Sequence, residues 1–148
     1  MARDTLLHIA DALSHNAVRR PDHPALIERS GAVVTYAEMD RLMRQTANHL
    51  SAQGIQAGDI VGLSMPDTTE HLGAMFGLFR MGAILLPMDV RWTPEEKIRI
   101  TEFFGAKAVI ADAPIEGVQT LCVDDAWHAA VSAQGTDGPF PNDIDDPL

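Results

Sequence analysis

Three times in this chain an oxygen-bearing side chain is followed three residues later by glutamate, with a short apolar run just upstream. The pairs are Thr35 with Glu38, Asp67 with Glu70, and Thr93 with Glu96. This is the spacing of a capping box, in which each side chain satisfies a free backbone amide of the other residue at a helix start. Apolar residues then recur at helical spacing, and a glycine (Gly54, Gly82 or Gly105) supplies the stop. Thr93 adds a proline, Pro94, at the first helical position. A chain that repeats short strand, capped helix and glycine stop is limited to a few layered α/β arrangements.

The remaining elements fit that rhythm. Residues Thr5 to Val18 place Leu6, Ile9, Ala10, Leu13 and Ala17 on one helical face, and Pro21 and Pro24 end it. Ala25–Glu28 and Val33–Tyr36 flank a turn containing Gly31, which predicts a hairpin. Ile60–Met65, Ala83–Pro87, Ala108–Ala111 and Thr120–Val123 predict strands. Asp124 or Asp125 caps a last short helix through Val131. These strands lack clean alternation, so both faces of their sheet are expected to be covered. The expected fold class is α/β: an open, mostly parallel sheet of about four strands flanked by helices, preceded by a helix and a β-hairpin. The hairpin has no obvious place in that sheet, and its backbone edge needs a partner or solvent.

Length and charge narrow the function classes. A chain of 148 residues suggests one domain. Its net charge of −10 argues against nucleic acid or an anionic membrane surface as main partner. Eight of the 21 acids and none of the 11 bases lie beyond Lys107. Residues 132–148 are dense in Gly, Pro and Asp and read as an acidic linker or poorly ordered tail behind a folded portion, 1–131. A single cysteine, no apolar run of membrane-spanning length and no signal-like start make the cytoplasm the expected compartment.

Few residues point to chemistry. There is no GxGxxG or GxxxxGK[ST] loop to cradle a phosphate. Gly62-Leu63-Ser64-Met65-Pro66 approaches a nucleophile elbow but ends in proline, so Ser64 reads as an ordinary buried serine. His8 and His15 share a helix face without a third ligand, and no metal site is expected. Cys122 reads as a small core residue, Met75, Phe76 and Phe79 as core, Glu95 and Glu96 as first-turn acids, and Trp127 and His128 as helix packing. Arg91 lies just past the carboxyl end of a strand, where open α/β sheets bind ligands. It reads either as a phosphate-holding arginine or as a solvated one stacked on Trp92, and Asp89 stands at the same edge.

Three blocks carry a resemblance. They are Leu26-Ile27 with Val34-Thr35-Tyr36-Ala37-Glu38-Met39-Asp40, then Gly54–Leu63 with Met65-Pro66-Asp67, and then Phe79–Asp89 followed by Thr93-Pro94-Glu95-Glu96. In this order and spacing, over roughly residues 5–128, the chain resembles the opening of the adenylate-forming acyl-CoA synthetase superfamily. The resemblance implies the N-terminal part of that superfamily's large domain. Asp145-Asp146-Pro147-Leu148 matches the stretch that precedes the superfamily's phosphate loop.

The implied reaction of the parent is activation of a carboxylic acid with ATP and magnesium to an acyl-adenylate, then transfer to CoA. The superfamily's adenine, ribose and catalytic-lysine positions have no counterpart in this chain, so no residue is assigned a catalytic role. The 148 residues alone are expected to be structural, catalytically inert and without a bound cofactor. Arg91 aligns with a basic residue that some members place near the CoA nucleotide, which implies a CoA phosphate contact. Asp89-Val90, where many members have Asn-Pro, departs from the pattern and would disfavour a phosphate. The alternatives are a piece of a peptide-synthetase-type adenylation domain, with a carrier-protein thiol as acceptor, or a freestanding α/β interaction module. The expected partners are the remainder of the parent chain and a second copy, through apolar surface left uncovered.

Overall fold

A computed structural model describes residues 8–138. The elements run α1 (Ile9–Arg19), β1 (Pro24–Ile27), β2 (Val33–Thr35), α2 (Tyr36–Ala52), β3 (Ile60–Ser64), α3 (Thr69–Met81), β4 (Ile84–Pro87), α4 (Pro94–Phe104), β5 (Ala108–Ala111), β6 (Thr120–Cys122) and α5 (Asp125–Ser132). Thr5 to Leu7, expected as the first turn of α1, lie outside the described residues.

Two of the three helix starts form the reciprocal box. Glu38 N–H donates to Thr35 Oγ1 while Thr35 N–H donates to Glu38 Oε2 (2.8 Å). Thr93 and Glu96 make the same pair of bonds, with Pro94 in the first turn. The third start differs by one residue. Thr68, not Asp67, caps α3, its Oγ1 accepting from His71 N–H. Pro66 and Asp67 extend the turn out of β3, and the hydroxyl one residue later is the side chain placed to reach the first-turn amides. Gly82 and Gly105 then end α3 and α4 in the left-handed conformation.

The main sheet has the order β4-β3-β5-β6, all parallel. Central β5 is buried at every position and β3 at all but its first, whereas edge strand β4 is partly exposed. On one face, Val61, Leu63, Ala108 and Ile110 pack against Leu50 of α2, Ala74 and Leu78 of α3, and Trp127 and Val131 of α5. On the other face Val109 and Ala111 meet Met88, Ile115, Trp92 and Ile100 of α4. That second layer is thin, because α4 buries no residue completely.

α2 and α3 approach closely. A Cβ on Gly77 would sit 3.1 Å from Thr46 Cγ2 and 3.2 Å from the Ala47 backbone nitrogen. Glycine at this position lets two backbones share space that a methyl group would fill.

The hairpin stays out of the main sheet, forming its own two-stranded antiparallel sheet. The sequence offered it no partner, and the structure supplies one in the helices. Ala25 and Val34 of the hairpin, with Tyr36 at the start of α2, cover Ala10, Leu13, Met39 and Met43 of α1 and α2. Burial of this apolar face, not strand pairing, positions the hairpin.

Residues 132–138 extend from α5, which runs through Ser132. Gln45 Nε2 donates to the carbonyls of Ser132 (3.3 Å) and Gln134 (3.0 Å), and Asn48 Nδ2 donates to that of Gly135 (2.7 Å). The first residues of the segment read as a linker are therefore tied to α2. The rest of that segment, 139–148, lies outside the described residues.

Candidate functional site at the carboxyl edge of the sheet

β3 is followed by a connection to β4 on one side, and β5 by a connection to β6 on the other. Where neighbouring connections diverge, the carboxyl ends of the strands leave a crevice, the usual ligand position in open α/β sheets. Ser64 lies at this point, in register with Ala111. It is 2% exposed, and its Oγ has no hydrogen-bond partner within the described residues. No non-glycine residue described has a positive φ, so Ser64 does not stand on a strained elbow. Buried, unstrained and without a base in contact, it is a strand serine and not a nucleophile.

Beyond Ser64 the chain turns under α3. His71 Nδ1 donates to the Met65 carbonyl (3.1 Å), which holds the ring against the turn. His71 is one wall of a groove of about 570 Å³ between Leu26–Ser30 and Asp67–Leu72. Thr69 Oγ1 donates to Glu28 Oε1, clamping the hairpin to the start of α3. Glu28, Asp67 and Glu70 outnumber Arg29 in these walls, so the groove is net acidic.

Arg91 follows β4 at the same edge and is directed at Asp89. Its Nη2 donates to Asp89 Oδ2 (2.6 Å), its Nε to both carboxylate oxygens (3.0 and 3.2 Å), and its backbone N–H to Oδ1 (2.8 Å). These bonds, side chain first and backbone second, hold the Asp89 carboxyl down to about 2 and push the Arg91 guanidinium up. The Arg91 side chain is 85% exposed. The stacking on Trp92 read from the sequence is not what the structure shows, because Trp92 instead packs with Met88 and Val109. A carboxylate two residues away can form a bidentate pair, whereas Trp92 has a core to fill.

The other sequence candidates are dispersed. His8 caps α1, its Nδ1 accepting from Ala10 N–H (3.2 Å), and His15 is exposed. Cys122 sits half-buried on edge strand β6, where burial raises its thiol and Asp124 adds to the effect. Such a thiol is a poor nucleophile. Phe76 meets Phe79 edge to face at 6.3 Å; both are half-buried, and only Phe76 packs against a core cluster. Trp127 packs edge to face on buried His49 (4.7 Å), and His128 approaches Glu70 at 3.6 Å. Reading the sequence missed His49, the Glu28–Thr69 clamp and the buried Arg80. None has a local signal, since each depends on contacts across helices or between hairpin and helix.

The family model described as AMP-binding enzyme matches residues 13–142. The chain belongs to the AMP-binding enzyme family. Among its relatives, surfactin synthase subunit 2 of Bacillus subtilis is 36% identical over 136 residues, covering 86% of this chain and 4% of that protein. The long-chain-fatty-acid–CoA ligase FadD13 of Mycobacterium tuberculosis is 34% identical over 125 residues, covering 84% of this chain and 24% of that protein. An inhibitor-bound N-terminal domain of FACL13 from the same organism superposes with a TM-score of 0.81 at 27% identity, covering 91% of this chain and 38% of that one. The fold is thus that of the N-terminal subdomain of adenylate-forming enzymes, and the chain spans a quarter or less of these two curated relatives.

The AMP-binding family uses ATP. No three His, Cys, Asp or Glu side chains converge as a metal site would need, within the described residues. The arginine at the strand edge is already paired to Asp89. Also among the described residues, no helix is long and apolar enough to cross a membrane.

Proposed function

We propose that this chain acts as the N-terminal layer of an acid–thiol ligase, one that activates a carboxylic acid with ATP and passes the acyl group to CoA. The observation that carries this reading is the family match across residues 13–142, on a parallel sheet of the family's N-terminal fold. Charge neutralisation at a phosphoryl centre needs cations and aligned amides. In this reading they come from outside these residues, and residues 1–131 are scaffold, with 132–148 leading on from it. Arg91 would meet a CoA phosphate through the N–H groups that Asp89 does not occupy, with that carboxylate opposing the contact.

The test is ATP–pyrophosphate exchange on the purified 148-residue chain with a panel of carboxylic acids. The expected result is no exchange above background. Turnover would refute inertness.

A second reading, a peptide-synthetase adenylation domain, is favoured by the 36% identity to surfactin synthase subunit 2. It predicts a carrier-protein thiol as acceptor in place of CoA. Apolar surface at Phe103, 79% exposed, and Phe104, 47% exposed, is expected to bring two copies of the isolated chain together. Sedimentation that shows a monomer at every usable concentration would contradict that.

A further inference from the structure

The groove between the hairpin and the start of α3 has walls from two elements that no strand pairing joins. Leu26–Ser30 line one side and Asp67–Leu72 the other, around a volume of about 570 Å³. The two-stranded sheet of the hairpin is separate from the main sheet, so the bond from Thr69 Oγ1 to Glu28 Oε1 ties the walls directly. Ser30 Oγ donates to the second oxygen of the same carboxylate (3.3 Å), and Thr68 caps α3 on the opposite wall. The width of the groove is thereby set before anything enters it. Its size falls in the range of about 300–1,000 Å³ in which concave sites take a ligand.

Chemistry narrows the occupant. Leu26, Ile27 and Leu72 give the walls apolar surface, and Ile27 is 65% exposed. Glu28, Asp67 and Glu70 supply three carboxylates against the one guanidinium of Arg29. Neither Asp67 nor Glu70 is paired to a lysine or arginine among the described residues, and Glu70 approaches only His128, at 3.6 Å. A polyphosphate meets net negative charge here and is repelled. A divalent cation needs several ligands at one point, and no three His, Cys, Asp or Glu side chains converge among the described residues. A second copy of a chain of net charge −10 brings more acid than base to the contact. A lysine or arginine side chain suits both parts of the groove, since its methylenes cover apolar surface while its head reaches the carboxylates.

We propose that this groove docks an extended partner segment in which a lysine or arginine stands beside a branched aliphatic residue. The cationic head meets Asp67 and Glu70, and the aliphatic side chain covers Ile27. Glu28 keeps its bond to Thr69 and holds the walls together. The site shares no residue with the Asp89–Arg91 pair, and it stands independently of the acid–thiol ligase reading.

The test is fluorescence anisotropy of labelled peptides with the whole 148-residue chain. One peptide carries Ile-Arg-Val-Lys, a second has glutamate in place of both cations, and a third has serine in place of both aliphatics. The first is expected to bind, and the other two to bind at least about fivefold more weakly. Asp67→Asn and Glu70→Gln should each weaken the first by about two- to fivefold, the range of an exposed ion pair. Ile27→Ser should weaken the first peptide and leave the serine peptide unchanged. Glu102→Gln, an exposed acid on α4, should change nothing. Equal weakening by Glu102→Gln and Glu70→Gln would show attraction to net charge alone and would overturn the proposal. Equal binding of the three peptides, or no rise in anisotropy with the first, would overturn it too. If a variant does not fold, the amide resonances of the wild-type chain decide. Shifts at residues 26–30 and 67–72 on adding the first peptide support the site, and shifts confined to other residues contradict it.

Discussion

Asp89 and Arg91 show how far two residues of spacing can commit a charge. Their bidentate pair leaves Asp89 ionised down to about 2, which a carbon-detected carboxylate titration should report directly. In Arg91→Gln the Asp89 midpoint should climb back toward the ordinary carboxylate value of about 3.9. No change in midpoint would show that the pair does not persist in solution. His49 makes the opposite point, since burial alone lowers its proton affinity. The unfolded chain then binds the proton more readily, between the ordinary value of about 6.5 and the lower folded one. Stability should therefore fall as pH drops through that window and level off below it. Urea midpoints against pH will show this slope, and His49→Gln should flatten it.

At the scale of elements, capping and close approach make separable contributions. Thr68→Ala should cost about 1 kcal/mol of stability because Thr68 is the α3 cap, whereas Asp67→Ala should stay within about 0.5 kcal/mol. A larger loss in Asp67→Ala would place the cap where the sequence spacing put it. Gly77→Ala sets a helix-propensity gain of up to about 1 kcal/mol against an overpacking cost of about 1–3 kcal/mol. The Ala47 backbone, 3.2 Å from the new Cβ, has little room to give, so a net loss is expected in chemical unfolding. Helices, strands and their order were legible because capping boxes, glycine stops and apolar runs are local signals. The seat of the hairpin was not, since it depends on Ala25 and Val34 meeting the Leu13 and Met39 cluster across helices. The candidate edge was legible as a place, through Arg91, but not as a state, because the sequence does not say which acceptor Arg91 takes. Arg80 reads as one more helical arginine until α1, α2 and α3 are assembled around it.

The whole molecule is a sheet well covered on one face by α2, α3 and α5 and thinly on the other by α4. Its carboxyl edge carries a sealed serine, an arginine paired to its neighbouring aspartate and a groove richer in acids than in bases. In the proposed reading this body positions the parts that react. The most direct measurement is a chimera in which this chain replaces the matching N-terminal stretch of FadD13, assayed for ATP-dependent acyl-CoA formation. The account predicts that the chimera forms the thioester while the 148 residues alone form none. A chimera that folds and binds ATP yet makes neither adenylate nor thioester would contradict it.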